Sequence, residues 1–269
     1  MTARGSEEPI LVVRDLSVRY GGVLALSSVS FDVPAGAVVG LIGPNGAGKT
    51  TCIDALSGFT SPSRTDRAAP QVVFQGASLD GCSAHERARR GFARTFQSLE
   101  LFDDLTVREN LLVSVSTPTI WSTITDALWP KRHANRVVDE TLELVGLDQA
   151  ADQRPDDLSN GRRHLVAVAR ALVAQPSLVL LDEPAAGLDP SETAELATLL
   201  RSLPDRGVSV LLVDHDMSLV LGSCDQIHVL DFGSIIASGT PEQIRSDPAV
   251  IAAYLGNAAT AGGHEGGGS

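Results

Sequence analysis

The apolar residues of this chain fall into short continuous runs that mostly have the length of a β-strand. Residues 38–42, 178–181 and 208–213 are three such runs. Continuous apolar runs are typical of strands that are buried on both faces of a sheet, because a strand with one wet face alternates apolar and polar residues. Helical patterns separate the later runs, so the chain is predicted to be an α/β protein with a parallel-sheet core.

Further strand patterns lie on either side of these runs in the sequence. Residues 10–14, 18–20 and 24–33 read as short strands that come before the first buried run. We expect them to form a separate β layer attached to the core. Near the other end, Asp231-Phe232-Gly233 separates two short apolar runs, and this triplet predicts the turn of a hairpin.

The middle of the chain has a different pattern. From a capping box at Thr106 and Glu109 onward the sequence is mostly helical, and we predict a helical subdomain over roughly residues 98–175. The tail consists largely of Ala, Gly and Ser, a composition typical of disorder. The predicted organisation is a flexible N-terminus at residues 1–9, one domain over residues 10–257 and a disordered tail at residues 258–269.

A glycine-rich loop follows the first buried run and precedes a segment with a helical pattern. It reads GPNGAGKTT and fits the phosphate-loop pattern in which a Gly and four residues precede Gly-Lys-Ser/Thr. The backbone N–H groups of such a loop point at phosphate oxygens, and the next helix presents the positive end of its dipole. Lys49 can reach the β- and γ-phosphates, and the Thr50 hydroxyl can ligate Mg²⁺. The predicted phosphate-binding residues are Gly43, Pro44, Asn45, Gly46, Ala47, Gly48, Lys49, Thr50 and Thr51.

Lysine is rare in this chain, which makes its presence in the loop informative. Among the 21 basic residues only Lys49 and Lys131 are lysines, and the others are arginines. A compact ammonium fits inside a phosphate cradle, whereas a planar guanidinium does not. The position of Lys49 therefore favours a phosphate site over a chance glycine-rich turn.

Acidic residues follow two of the predicted core strands. Asp182 and Glu183 come directly after residues 178–181, and His215 lies just beyond the next buried run. Ligands of open α/β sheets bind at the carboxyl ends of the strands, so these side chains are predicted to lie near the loop. Asp182 is placed to hold the water shell of a metal ion, and Glu183 to act as general base. A solvated acidic strand end and a structural or exposed histidine remain the alternatives.

Composition narrows the possible partners. The net charge is −12, which disfavours broad contact with nucleic acid or anionic lipid. The three cysteines are scattered without metal-ligand spacing, and free thiols in a reducing compartment are the expected state. No apolar run approaches the roughly 20 residues that a membrane span requires, so we expect no direct membrane insertion.

Several motifs occur together in the order found in ATP-binding subunits of ABC transporters, and the chain resembles that family. Residues 43–50 are similar to its Walker A motif, Arg94-Thr95-Phe96-Gln97 to its Q-loop and Leu158-Ser159-Asn160-Gly161-Arg162 to its signature. Residues 178–184 resemble Walker B, residues 186–189 the D-loop and His215 the switch histidine. The amino-acid sequences of the Q-loop and of residues 239–256 are most similar to those of the ATP-binding subunits of branched-chain amino acid importers. Urea and lipopolysaccharide systems use similar subunits.

The resemblance implies a fold with a parallel core, an N-terminal antiparallel β subdomain and an inserted helical subdomain. It also implies an ATPase that powers transport with ATP and Mg²⁺ as cofactors. By this resemblance Tyr20 would stack on adenine and Gln97 would contact ATP. Gln97, Thr50 and Asp182 would together hold Mg²⁺. Glu183 and His215 would be catalytic. The residues implied to contact ATP bound by a second subunit are Ser159, Asn160 and Gly161.

The implied partners are a second ATPase subunit, identical or different, transmembrane permease subunits and, indirectly, a solute-binding protein. The implied location is the cytoplasmic face of the cell membrane. Asn160 and Arg162 depart from the usual signature, so a weakly hydrolysing nucleotide-dependent scaffold is the alternative function. ABC ATPases of DNA repair or translation carry coiled coils, a zinc site or two ATPase domains, and this sequence has none of these patterns.

Overall fold

The computed structural model of the chain describes residues 8–63, 71–96, 99–115 and 130–261. The predicted N-terminal segment therefore lies almost wholly outside the described residues, as does the tail from residue 262. The strands are β1 (Pro9–Tyr20), β2 (Val23–Pro34), β3 (Val38–Ile42), β4 (Gln71–Phe74), β5 (Ala77–Ser78), β6 (Phe92–Arg94), β7 (Leu178–Asp182), β8 (Ser209–Val213), β9 (Gln226–Asp231) and β10 (Ser234–Gly239). The helices are α1 (Lys49–Ser57), α2 (Ala84–Arg89), α3 (Val107–Ser114), α4 (Pro130–Leu144), α5 (Asn160–Leu172), α6 (Pro190–Ser202), α7 (Met217–Ser223), α8 (Pro241–Ser246) and α9 (Pro248–Ala261).

Two sheets organise the described part of the chain. The larger has the strand order β10–β9–β3–β8–β7–β6; four of its five neighbouring pairs are parallel, and the edge hairpin β9–β10 is antiparallel. The smaller sheet has the order β2–β1–β4–β5 and is antiparallel. The predicted parallel core with an N-terminal antiparallel layer is confirmed.

Both faces of the larger sheet are buried, which explains the continuous apolar runs. Alternate residues of a strand point to opposite faces. In β7, Val179 and Leu181 join the cluster formed with the helices, whereas Leu178 and Leu180 join the cluster shared with the smaller sheet and α1. Every position of β7 is therefore buried, and no position in this strand faces solvent.

The first strand is longer than its sequence indicates. We expected a break between residues 14 and 18, but β1 is continuous through this stretch. Asp15 has a positive φ of 51°, and the pairing with β2 shifts register there. The backbone N–H of Asp15 donates to the Ser30 hydroxyl at 2.9 Å. A β-bulge thus accommodates the polar residues that interrupted the apolar pattern.

The helical middle and the chain end follow the predicted capping signals in most respects. Thr106 caps α3 with Glu109 in a reciprocal capping box, and α3 packs against α4 and α5. The last helix, α9, continues to Ala261, so residues 258–261 are helical where disorder was expected. In the described part of the chain, no helix is both long enough and apolar enough to cross a bilayer.

Arg87, in α2, binds the C-terminal end of α1, the helix that follows the phosphate loop. Its buried guanidinium donates to the carbonyl oxygens of Ala55 and Leu56, at the C-terminus of α1, and to those of Leu79 and Cys82. The last carbonyls of a helix have no partner within the helix. Arg87 supplies those partners and joins α1 to the segment around α2.

We predict that Arg87→Met lowers the free energy of unfolding by about 2–4 kcal/mol, because buried carbonyl groups lose their donors. Urea denaturation followed by circular dichroism measures this change. Arg89→Met is the matched control, since Arg89 lies on the same helix but is exposed. Equal midpoints for the two variants would contradict the bridging role.

Candidate nucleotide site

The glycine-rich loop joins β3 to α1 and curls over the carboxyl end of the larger sheet. A Cβ atom on Gly43 would lie 2.0 Å from the Leu230 carbonyl oxygen. Gly48, the residue before α1, has a φ of 106° and lies against the Ala25 carbonyl. Glycine is required at both positions because the loop passes directly over backbone of β2 and β9.

Lys49 lies inside the loop rather than projecting into solvent. Its Nζ donates to the carbonyl oxygens of Gly43 at 2.7 Å and Pro44 at 3.1 Å, and the residue is 8% exposed. Burial lowers the pKa of the ammonium, while Glu183, and less strongly Asp182 and Asp214, act in the opposite direction. The positive charge is thus held in place by carbonyl oxygens and balanced by nearby carboxylates.

An open cavity of about 540 Å³ lies beside this loop. The loop residues Asn45 to Thr51 form one wall, and Glu183 contributes a carboxylate. A third set of lining residues is mostly apolar and comprises Val23, Leu24, Ala25, Phe232 and Gly233. The cavity therefore combines N–H donors and an ammonium with an apolar wall, which suits a phosphorylated ligand that carries a flat apolar group.

The acidic residues lie where β7 and β8 end. Asp182 is buried, and burial raises the pKa of its carboxyl, an effect that Arg94 opposes. Glu183 follows with a φ of 49°, and its N–H donates to the Val213 carbonyl of β8 at 2.7 Å. A positive φ is unusual for glutamate, and such strained backbone clusters at functional sites.

Asp214 organises the rim of the sheet beside Glu183. It is fully buried, and its carboxylate accepts hydrogen bonds from the N–H groups of Ala185, His215 and Asp216. Burial raises the pKa of Asp214, and these hydrogen bonds act in the opposite direction. No role for Asp214 was predicted from the sequence, although its position directly after a buried strand could have indicated one.

His215 and Glu183 come together as the sequence predicted. The His215 Nδ1 atom lies 3.7 Å from Glu183 Oε1 and 3.7 Å from Asp214 Oδ1. Both distances exceed a hydrogen bond but fall within ion-pair range. The imidazole side chain is 61% exposed, and His215 is not among the described residues that line the cavity.

Tyr20 lies apart from the described lining of the cavity. Its hydroxyl contacts the Thr60 hydroxyl at 3.1 Å, and the residue is 51% exposed. Phe232 lines the cavity instead, at a φ of 40° and 83% exposed. Phe232 is part of a turn, as predicted, but its position beside the phosphate loop was not predicted. Gln97 lies outside the described residues.

Ser159, Asn160 and Gly161 are at the start of α5 and are not among the described residues that line this cavity. The Ser159 hydroxyl caps α5 by accepting the Arg162 N–H. A Cβ on Gly161 would lie 2.3 Å from the Glu192 carboxylate, and Asn160 Nδ2 lies 3.4 Å from the Ala186 carbonyl. The segment rests against residues 186–192 of its own chain.

A divalent cation would find oxygen donors between α1 and β7. Thr50 offers an exposed hydroxyl at the start of α1, and Asp182 offers a carboxylate at the end of β7. Hydroxyl and carboxylate oxygens suit Mg²⁺, which also keeps waters and phosphate oxygens as ligands. Among the described residues, no three His, Cys, Asp or Glu residues cluster as a metal site of their own. The donor set fits a cation that arrives with phosphate.

A phosphate loop between a parallel strand and a helix, facing an acidic pair on a neighbouring strand, defines a P-loop nucleotide-binding protein. The family model described as ABC transporter matches residues 26–186. A second model, described as branched-chain amino acid ATP-binding cassette transporter, matches residues 234–260. The chain belongs to the ABC transporter family, as one of its ATP-binding ATPase subunits.

Similar proteins include the high-affinity branched-chain amino acid transport ATP-binding protein LivG of Escherichia coli K12, 40% identical over 93% of this chain and 99% of that protein. BraF of Pseudomonas aeruginosa, with the same description, is 40% identical over the same shares. The lipopolysaccharide export ATP-binding protein LptB of Haemophilus influenzae is 36% identical over 92% and 97%. The ADP conformation of MJ1267, an ATP-binding cassette of an ABC transporter, superposes with a TM-score of 0.81 at 29% identity, covering 93% and 99%.

We predict that Asp214→Asn lowers the free energy of unfolding by about 1–3 kcal/mol, since the amide group turns a donor toward a buried N–H. Thermal and urea denaturation measure the loss. Asp152→Asn, at an exposed position, is the control. An unchanged midpoint for Asp214→Asn would show that the three N–H contacts do not hold this rim.

Proposed function

We propose that this chain binds ATP together with Mg²⁺ and hydrolyses it to power import of branched-chain amino acids. The observation that carries the proposal is the shared cavity of Lys49 and Glu183, with His215 Nδ1 3.7 Å from the Glu183 carboxylate. The proposed substrate rests on the two relatives that are 40% identical and on the match of residues 234–260.

In this proposal the loop receives the triphosphate, and Lys49 exchanges the carbonyl oxygens of Gly43 and Pro44 for phosphate oxygens. Tyr20, which pairs with the cavity-lining Val23 across the turn between β1 and β2, supplies adenine stacking, a contact worth about 1–3 kcal/mol in nucleic-acid settings. Thr50, Asp182 and Gln97 hold the metal ion, which neutralises charge on the phosphates when bound.

Glu183 accepts the proton of the attacking water, because its carboxylate borders the cavity beside the ammonium that fixes the phosphates. His215 contacts the γ-phosphate and keeps Glu183 oriented. The exposed imidazole and the strained Glu183 backbone both support an active arrangement over an inert scaffold.

Two such subunits complete each other's sites in the proposed assembly. Ser159 caps α5, and Asn160 and Gly161 are its first residues; together they would present the N–H groups of the helix start to ATP held by the partner subunit. The partner is an identical chain or a sister subunit. Closure around ATP, transmitted to the permease, is coupling through differential affinity for two states. The complex would sit on the cytoplasmic face of the membrane and receive its solute from a binding protein.

Export of lipopolysaccharide is the second candidate, favoured by the 36% identity to LptB. The lower identity and the C-terminal family match place it behind amino acid import. A weakly hydrolysing scaffold is the remaining alternative, motivated by Arg162 in the signature.

We predict that Glu183→Gln slows ATP turnover by at least about 100-fold while ATP affinity changes by less than about 3-fold, because the general base is lost and the phosphate contacts remain. Phosphate release and nucleotide titration of the purified chain measure the two effects. Glu143→Gln, exposed on α4, is the control.

The same variants test the transport half of the proposal. Cells that depend on this chain and its permeases for leucine uptake should take up leucine with the wild-type chain and with Glu143→Gln, but not with Glu183→Gln. Wild-type turnover by Glu183→Gln would reject the proposed base. Leucine uptake that does not depend on the chain at all would reject the proposed substrate.

A further inference from the structure

Arg94 is a buried charge that the proposed mechanism does not use. It is the last residue of β6, beside Leu180 of β7, and its side chain is 8% exposed. A buried charge is tolerated only where partners compensate the loss of water. Its contacts therefore indicate which elements it holds.

The guanidinium joins two elements that carry the proposed metal ligands. Its Nη1 atom donates to Asp54 Oδ1 at 2.7 Å and to the Ser57 hydroxyl at 2.8 Å, both on α1. Its Nη2 atom donates to Asp182 Oδ2 at 3.3 Å, at the end of β7. Helix α1 begins with Lys49 and Thr50, and β7 is followed at once by Glu183. One side chain thus spans the gap between the phosphate-loop helix and the acidic strand.

The next residue, Thr95, adds two hydrogen bonds between β6 and β7. The Thr95 N–H donates to the Leu180 carbonyl at 2.9 Å, and the Thr95 hydroxyl accepts the Asp182 N–H at 3.1 Å. Asp182 is therefore held at its backbone by Thr95 and at its carboxylate by Arg94.

Two aromatic rings enclose the guanidinium on its other side. The Arg94 Cζ atom lies 5.5 Å from the Phe59 ring centre and 5.0 Å from the Phe96 ring centre. The rings meet edge to face at 5.5 Å, and both residues are largely exposed. Cation–π contacts of this kind favour the planar arginine and restrict its movement.

We propose that Arg94 is a positioning residue that fixes the separation of Thr50 and Asp182, and thereby the affinity of the site for Mg²⁺ in the presence of ATP. The proposal rests on the proposed ATP site and goes beyond it by assigning a residue that touches neither nucleotide nor metal. Arginine is needed because its planar fork reaches α1 with one nitrogen and β7 with the other. A lysine ammonium supplies the charge without spanning both contacts.

The test is a Mg²⁺ titration of ATP binding to the full-length chain, with a fluorescent ATP analogue as the probe and EDTA as the metal-free reference. Loss of a residue that orients a metal ligand weakens metal binding by about 10–100-fold. For Arg94→Met we expect the half-saturating Mg²⁺ concentration to rise at least about 10-fold, with metal-free ATP binding within about 2-fold of wild type. Arg94→Lys should show most of this rise.

Arg108→Met is the control, because Arg108 on α3 also forms an ion pair with an aspartate of another element, Asp139 of α4, at 2.6 Å. It should titrate like the wild-type chain. Asp54→Asn provides a second variant if Arg94→Met fails to fold, and it should raise the half-saturating Mg²⁺ concentration in the same direction.

Three results would overturn the proposal. The first is an unchanged Mg²⁺ titration in Arg94→Met or Asp54→Asn, and the second is wild-type behaviour of Arg94→Lys. The third is an equal loss of metal-free and metal-dependent ATP binding, which is expected if Arg94 has only a structural role. A wild-type chain that does not bind ATP at all would instead overturn the proposed function and is distinguishable from all three.

Discussion

A buried ammonium in a loop of backbone carbonyls is the interaction on which the site depends. Lys49 is held by Gly43 and Pro44 and faces the carboxylates of Glu183 and its neighbours. The loop can enclose this charge because glycines let it pass over β2 and β9 without Cβ atoms. In the proposed function a phosphate chain that enters the cavity meets an ammonium already beside it, which exchanges its two carbonyl partners for phosphate oxygens.

The buried carboxylates near Lys49 are also held by fixed partners. Burial of Asp182 and Asp214 near one another is unfavourable unless donors compensate it. Asp182 forms an ion pair with Arg94, and Asp214 accepts hydrogen bonds from three backbone N–H groups. The carboxyl end of the sheet therefore carries fixed carboxylates beside the positive side chains of Lys49 and Arg94, an arrangement suited to a phosphate ligand accompanied by a cation.

The sequence predicted the core because burial on both faces leaves continuous apolar runs, as in β7 and β8, and it predicted the loop because phosphate binding imposes fixed spacing. It could not predict contacts that join distant positions, such as Arg94 to Asp54 and Asp182. Phe232 was interpreted as a turn residue. The contacts that bring it to the cavity join distant positions: Gly233 packs on the Ala25 backbone, donates to the Ala47 carbonyl and accepts the Ser27 N–H. The bulge at Asp15 was missed because its stabilising hydrogen bond comes from another strand.

The most direct test is ATP binding by Lys49→Met, measured by isothermal titration calorimetry beside the wild-type chain. Methionine keeps the length and removes the charge, so the fold should persist while ATP loses a charge-assisted contact worth about 1.5–3 kcal/mol. The predicted result is ATP binding weakened by at least about 10-fold in a chain that keeps the wild-type circular dichroism spectrum, with a lower melting temperature because the Gly43 and Pro44 carbonyls lose their donor. Equal affinity in the two proteins would contradict the central claim that this ammonium holds the phosphates.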